Sequence, residues 1–183
     1  MKYIMIFGNN LEDVEAIAPL DILRRAQVTV ETWGVGSDTI SGRTRVPMKM
    51  EKIFRKRSDV DVEAYDGILL PGGPGVSELV GNEELIELVK EFRRLDKLIF
   101  AICAAPTILD RAGLLEGKRY TCFPDSRKDI RGGTHVDAPV VVDGKLITSQ
   151  GLGTAIDAGL ALVEVIVSKK EAELQRERIV YRR

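Results

Sequence analysis

The chain has 183 residues with 44% apolar and 30% charged residues, a formal net charge of -1 and only two cysteines. That length and mixture suit one globular domain with a full core. They exclude a global basic field for nucleic acid or an anionic membrane, a disulfide-stapled secreted scaffold, and a membrane span of roughly 20 apolar residues.

Tyr3 to Phe7 is a continuous apolar run, the pattern of a strand covered on both faces of a parallel sheet. The run is too short for a signal peptide, so a reducing cytoplasmic setting is expected. Gly8-Asn9-Asn10 turns the chain, with Asn10 the predicted N-cap and Glu12, Asp13 and Glu15 in the acidic first turns of a helix. That helix is expected to reach Arg24-Arg25-Ala26, with a kink at Pro19. Val28 to Val35 is rich in β-branched residues and predicts a second strand.

The segment from Ser41 to Glu63 is polar and irregular, with an edge strand predicted over Arg43 to Met48. Lys52 to Arg57 is basic, but the acidic Asp59 to Glu63 cancels its field beyond about 8 Å, so it reads as a solvated face. Asp66 to Leu70 is a buried strand ending in Pro71-Gly72-Gly73-Pro74-Gly75. Asn82 caps a helix with Leu85, Ile86, Leu88, Val89 and Phe92 at helical spacing.

The apolar run Leu98 to Ile102 predicts another strand. It passes Cys103 and becomes a helix, with Pro106 tolerated in the first turn. Gly113 ends that helix and Arg119 to Phe123 reads as a short strand. Val140 to Thr148 predicts a hairpin around Asp143-Gly144. Ala155 to Val167 is the last long helix, and the charged residues 168–183 form a helical appendage. Strands alternating with helices predict one α/β domain over 1–183, with a mostly parallel, doubly wound sheet and helices on both faces.

Cys103 therefore sits at a strand-to-helix switch. A residue there lies on a tight turn at the carboxyl edge of the sheet, facing the positive end of the next helix. Such an end can lower a thiol pKa from about 8.5 into the range of roughly 3.5 to 7.5. Position alone leaves two readings open: an activated nucleophile, or a small buried hydrophobe. Gly72-Gly73 ends the neighbouring strand and can offer backbone N–H groups to an anion. No Walker loop follows, and Ile156 stands where a dinucleotide fingerprint needs glycine. Spacing alone makes Glu15 a surface residue of a first helical turn.

Four blocks carry a resemblance: Leu11 to Arg25, Pro71-Gly72-Gly73, Ala101 to Pro106, and Thr148 to Ile156. Together, and in this order, they resemble the ThiJ/PfpI family, nearest to the branch of the parkinsonism-associated protein and its YajL-type bacterial homologues. The resemblance implies a flavodoxin-like fold. It implies that Cys103 is the nucleophile, that Glu15 is its proton partner, and that Gly73 and Ala104 supply oxyanion-hole N–H groups. It also implies a homodimer with the pocket near the interface and Arg25 close by. A thiolate and a carboxylate side by side repel, so one must keep a proton, and Glu15 is the expected holder.

Two departures matter. Phe123 stands where the branch of the parkinsonism-associated protein carries a histidine, so no Cys–His dyad arises there. Ala104 stands where the protease branch has histidine, which argues against proteolysis. The only histidine, His135, reads either as a surface residue or as a replacement base reaching the pocket. Cys122 reads as buried filler. The implied activity is capture of reactive α-dicarbonyls or their early adducts, of deglycase or glutathione-independent glyoxalase type. The rival is a redox sensor or redox-regulated chaperone using the same cysteine. Expected partners are a small dicarbonyl or glycated adduct and a second copy of the chain. No cofactor, metal, nucleic acid or membrane is expected.

Overall fold

A computed structural model describes residues 1–182. The elements run β1 (Lys2–Phe7), α1 (Asp13–Arg25), β2 (Thr29–Val35), β3 (Thr39–Ser41), β4 (Pro47–Lys49) and β5 (Lys52–Phe54). They continue with β6 (Gly67–Leu70), α2 (Val76–Leu79), α3 (Glu83–Arg94), β7 (Leu98–Ile102), α4 (Pro106–Arg111), β8 (Arg119–Tyr120) and β9 (Thr134–His135). The last are β10 (Val140–Asp143), β11 (Leu146–Ser149), α5 (Ala155–Ile166) and α6 (Lys169–Arg178).

Seven strands form the central sheet in the order β10-β11-β7-β6-β1-β2-β5. All neighbours are parallel except β10 and β11, which form the antiparallel hairpin. The alternation of side chains divides each strand between two apolar layers. In β1, Ile4 and Ile6 join the layer under α2, α3 and α4, while Tyr3, Met5 and Phe7 join the layer under α1, α5 and α6. In β7, Ile99 and Ala101 face the first layer, and Phe100 and Ile102 the second. The flavodoxin-like, doubly wound arrangement is thus realised, with helices on both faces. Gly159 of α5 lets that helix lie close to α1: a Cβ there would stand 2.7 Å from Ile22 Cδ1 and 3.2 Å from Pro19 Cα.

The order of strand addition reverses beside β1, which pairs in parallel with β2 on one side and β6 on the other. That switch point places the ends of β1, β6 and β7 around one crevice, where open α/β sheets bind ligands. Among the described residues, no helix is long and apolar enough to cross a membrane.

Several local expectations are corrected. Asn10 is not the N-cap: it adopts φ 58°, and Glu12 occupies the cap position. Asparagine tolerates this left-handed backbone, which bends the chain so that Asn10 O accepts from Gly75 N at 3.0 Å. The predicted strand over 43–48 shrinks to Pro47–Lys49, paired with Thr39–Ser41. Lys52 to Phe54, read as a solvated run, is the edge strand of the main sheet, with Phe54 fully buried. Its lysine marks an exposed edge, a common guard against further strand pairing. The strand over 119–123 stops at Tyr120 and pairs with Thr134–His135. Asn82 caps α3 as expected, its side chain accepting from Leu85 N at 3.1 Å.

Candidate functional site

Cys103 has φ 64°, a left-handed backbone that a non-glycine residue adopts at a cost of order 1–3 kcal/mol. The turn holds it there from both sides. Its N–H donates to Ser149 O at 2.9 Å, and Phe123 N–H donates to its carbonyl at 2.8 Å. The conformation projects the side chain off the carboxyl end of β7 into a cavity of about 310 Å³. Glu12, Glu15, Arg43, Gly73, Cys103 and Phe123 are among the residues lining it.

The Gly73 and Ala104 N–H groups and the Glu15 carboxyl act on the sulfur from close by: the N–H groups favour its thiolate and a Glu15 carboxylate opposes it. A methyl group built on Gly151 would lie 3.5 Å from Glu15 Oε1 and 3.8 Å from Cys103 Sγ, so those atoms share one spot. Gly72 allows the contact. A Cβ there would stand 2.5 Å from Glu15 Oε2, 2.5 Å from Ile102 O and 2.6 Å from Cys103 Cβ. Gly73 has φ 109°, and a Cβ on it would meet Glu12 N at 2.2 Å. The doubled glycine thus lets the end of β6 pass between the first turn of α1 and the cysteine.

Below the elbow, Ser149 Oγ and Thr154 Oγ1 lie 2.7 Å apart in a buried polar knot, and Gly151 N–H donates to Thr154 Oγ1 at 3.1 Å. This knot anchors the 150–154 loop that brings Leu152 to the cavity.

Glu15 is 1% exposed, not the surface residue that spacing alone suggested. Burial raises its carboxyl to about 7, and the nearby Glu12 charge adds to that rise. The Cys103 contact and the Gly72 and Leu152 N–H groups pull the other way. Its Oε2 makes no hydrogen bond of normal geometry, an arrangement a neutral carboxyl tolerates better than a carboxylate. Burial, then a Glu15 carboxylate, push the Cys103 thiol up to about 12, against the Gly73 and Ala104 N–H groups. A proton on Glu15 would remove the carboxylate's share of that upward push and leave the share due to burial. The lowering by the Gly73 and Ala104 N–H groups is outweighed by burial and Glu15, so the expected depressed thiol is not found.

The structure brings together Cys103, Glu15, Gly72, Gly73, Ala104 and Phe123. It does not bring His135 or Arg25 to the cavity lining. His135 is held by strand pairing and lies edge-on to Tyr120, with ring centroids 5.6 Å apart. Arg25 ends α1, its guanidinium bound to Asp21 at 2.7 Å. Cys122 is buried and outside the lining. Among the described residues, no group of three or more His, Cys, Asp or Glu side chains is gathered as a metal site. Sequence reasoning missed Glu12, Arg43, Pro74 and Leu152 as wall residues. Only the repeated glycines around Leu152 gave a local sign of a functional loop.

Fold and site together define a flavodoxin-like α/β protein with a cysteine on a strained strand-to-helix elbow beside a buried glutamate. The chain belongs to the DJ-1/PfpI family, whose pattern matches residues 1–165. Protein DJ-1 homolog B of Arabidopsis thaliana is 33% identical over 164 residues, covering 87% of this chain and 36% of that protein. The chain thus spans little more than a third of that relative's length. A Pyrococcus horikoshii protein named a deglycase is 32% identical over 152 residues, covering 82% of this chain and 90% of that one. A DJ-1 superfamily protein from Salmonella typhimurium, crystallised as a cysteine mutant, superposes with a TM-score of 0.91 at 35% identity. That match covers 100% of this chain and 99% of the other.

Proposed function

We propose that this protein captures the carbonyl of reactive α-dicarbonyls, or of their early adducts on amines and thiols, through Cys103. The observation that carries this reading is Cys103 at φ 64°, its sulfur in the cavity against two N–H donors and the Glu15 carboxyl. The relative named a deglycase supports the substrate class. In the step, the thiolate attacks the carbonyl carbon and a C–S bond forms. The C=O π pair moves to oxygen, which draws on the Gly73 and Ala104 N–H groups, and Glu15 delivers its proton to it. Among the described residues no histidine lines the cavity, and of its two carboxyls Glu15 is the one that acts on the sulfur.

The test is methylglyoxal consumption followed by NMR, with lactate as the glyoxalase product. Wild type is expected to consume it and Cys103→Ala to lose all measurable activity. Equal turnover by both proteins would refute the reading. Absent turnover in wild type, with peroxide-oxidised protein protecting a client from aggregation, would favour the redox-chaperone reading instead.

A second copy of the chain is the proposed partner. Val14 and Ile17 on α1 are each 43% exposed, beside the buried Glu15, and Leu152 in the loop before α5 and Ile156 in its first turn are exposed. Sedimentation equilibrium is expected to give twice the chain mass, and Ile17→Glu to shift it to the monomer. A wild-type monomer at millimolar concentration would exclude this partner.

A further inference from the structure

Arg43 is the only cationic residue lining the cavity among the described residues. Its placement is built by contacts outside the site. Arg43 N–H donates to Leu11 O at 2.8 Å. Next along, Thr44 N and Oγ1 donate to the Asp13 carboxylate at 3.0 and 2.7 Å. That carboxylate fills the space over Gly42, where a Cβ would stand 2.3 Å from Asp13 Oδ1. Arg45 at φ 63° completes the turn. A loop from between β3 and β4 is thereby clamped onto the first turn of α1, one of the elements that carry the nucleophile and its proton partner.

The guanidinium is under-used in this position. Its one ion pair, to Glu12 Oε2, is long at 3.7 Å, and no hydrogen bond engages it among the described residues. Glu12 is largely covered while Arg43 is largely exposed, with side-chain exposures of 13% and 66%. A loose pair of this kind has two donors' faces left to offer, and a planar fork suits a carboxylate or phosphate.

We infer that Arg43, positioned by the Asp13–Thr44 clamp, selects substrates bearing an anionic group next to the reacting carbonyl, such as α-oxo acids and their aldehyde forms. This deepens the reading of Cys103 as a carbonyl-directed nucleophile. The anion would replace Glu12 on the guanidinium while the aldehyde carbon meets the sulfur. Attack then forms the C–S bond, the carbonyl pair goes to oxygen, and the Glu15 proton quenches it, with the anionic group unchanged. Asp13 is a positioning residue here, acting through the loop that carries Arg43.

Iodoacetate and iodoacetamide differ in charge and little in size, so their rate ratio at Cys103 reports anion attraction without requiring turnover. The ratio is expected to fall about fivefold in Arg43→Ala, the effect of losing one partly exposed charge contact. Arg43→Lys should recover part of it, Asp13→Asn should lower it, and Glu12→Gln should raise it. Added 0.5 M KCl, a Debye length of roughly 4 Å, should lower the wild-type ratio and spare that of Arg43→Ala. Where turnover is measurable, Arg43→Ala should lower kcat/KM for glyoxylate more than for methylglyoxal. An Arg43→Ala ratio within twofold of wild type, in protein with an unchanged circular dichroism spectrum, overturns the inference. Failure of methylglyoxal turnover in wild type leaves the ratio intact as the test, so the two readings fail separately.

Discussion

Gly72→Ala is expected to lower both methylglyoxal consumption and the alkylation rate of Cys103 by at least about 100-fold, the scale of a misplacement of order 1 Å at a reacting group. The added methyl group would press on three atoms at 2.5 to 2.6 Å. One of them, Glu15 Oε2, sits at the tip of a side chain and can swing away, but only by leaving the sulfur. The other two cannot yield cheaply. Ile102 O belongs to the end of β7, fixed by pairing with β6 and β11. Cys103 Cβ is set by an elbow whose N–H and C=O are both engaged. Relief therefore comes from separating the proton partner from the nucleophile or from flattening the elbow. The readouts are turnover, iodoacetamide kinetics and melting temperature. Wild-type alkylation in a folded Gly72→Ala protein would show that the glycine is not what lets these groups meet.

The second large effect is in pH. Iodoacetamide labelling of Cys103 is expected to rise through a midpoint of about 7 and level off above it. The pair loses its first proton near the raised Glu15 value of about 7 and its second near 12. Between them it holds one proton, and the thiolate fraction is constant because that proton is merely shared. In Glu15→Gln nothing is shared. The amide is a weaker donor to sulfur than a carboxylic acid, so the midpoint moves up and the plateau disappears.

Stability should carry the same signature. The folded Glu15 carboxyl lies above its ordinary value of 4.5, so its contribution is complete below pH 4.5 and is lost as pH rises through about 7. The melting temperature of wild type relative to Glu15→Gln should fall by roughly 5 °C over that window. A labelling midpoint of 8.5 or above, identical in the two proteins, would mean the carboxyl does not govern the thiol.

Much of this was legible in residues close together in sequence. The apolar runs of β1, β6 and β7, the Asn82 cap and the amphipathic α3 follow from periodicity and capping, which act over a few residues. Cys103 between an apolar run and Pro106 announced the elbow, and Gly72-Gly73 announced a backbone that something must approach closely. The family blocks tied Glu15 to the same place, against a local reading as a surface residue.

Other features follow from contacts between segments remote in sequence. Lys52 to Phe54 looks solvated until β2 supplies a partner for its backbone and the α2–α4 layer buries Phe54. His135 carries no local sign of its place, and pairing with Arg119–Tyr120 sets it on the Tyr120 ring instead of in the cavity. Arg43 enters the cavity because Asp13, 31 residues from Thr44, captures its loop.

By itself, then, the sequence determined the buried strands β1, β2, β6 and β7, the long helices between and after them, the elbow and the glycines beside it, because hydrophobic period, caps and turns are short-range. The tertiary structure decided the charge lining the cavity, the burial of Glu15 and the rise of its carboxyl. Those depend on how loops from several strand ends converge at one sheet edge, and on how much water that convergence removes.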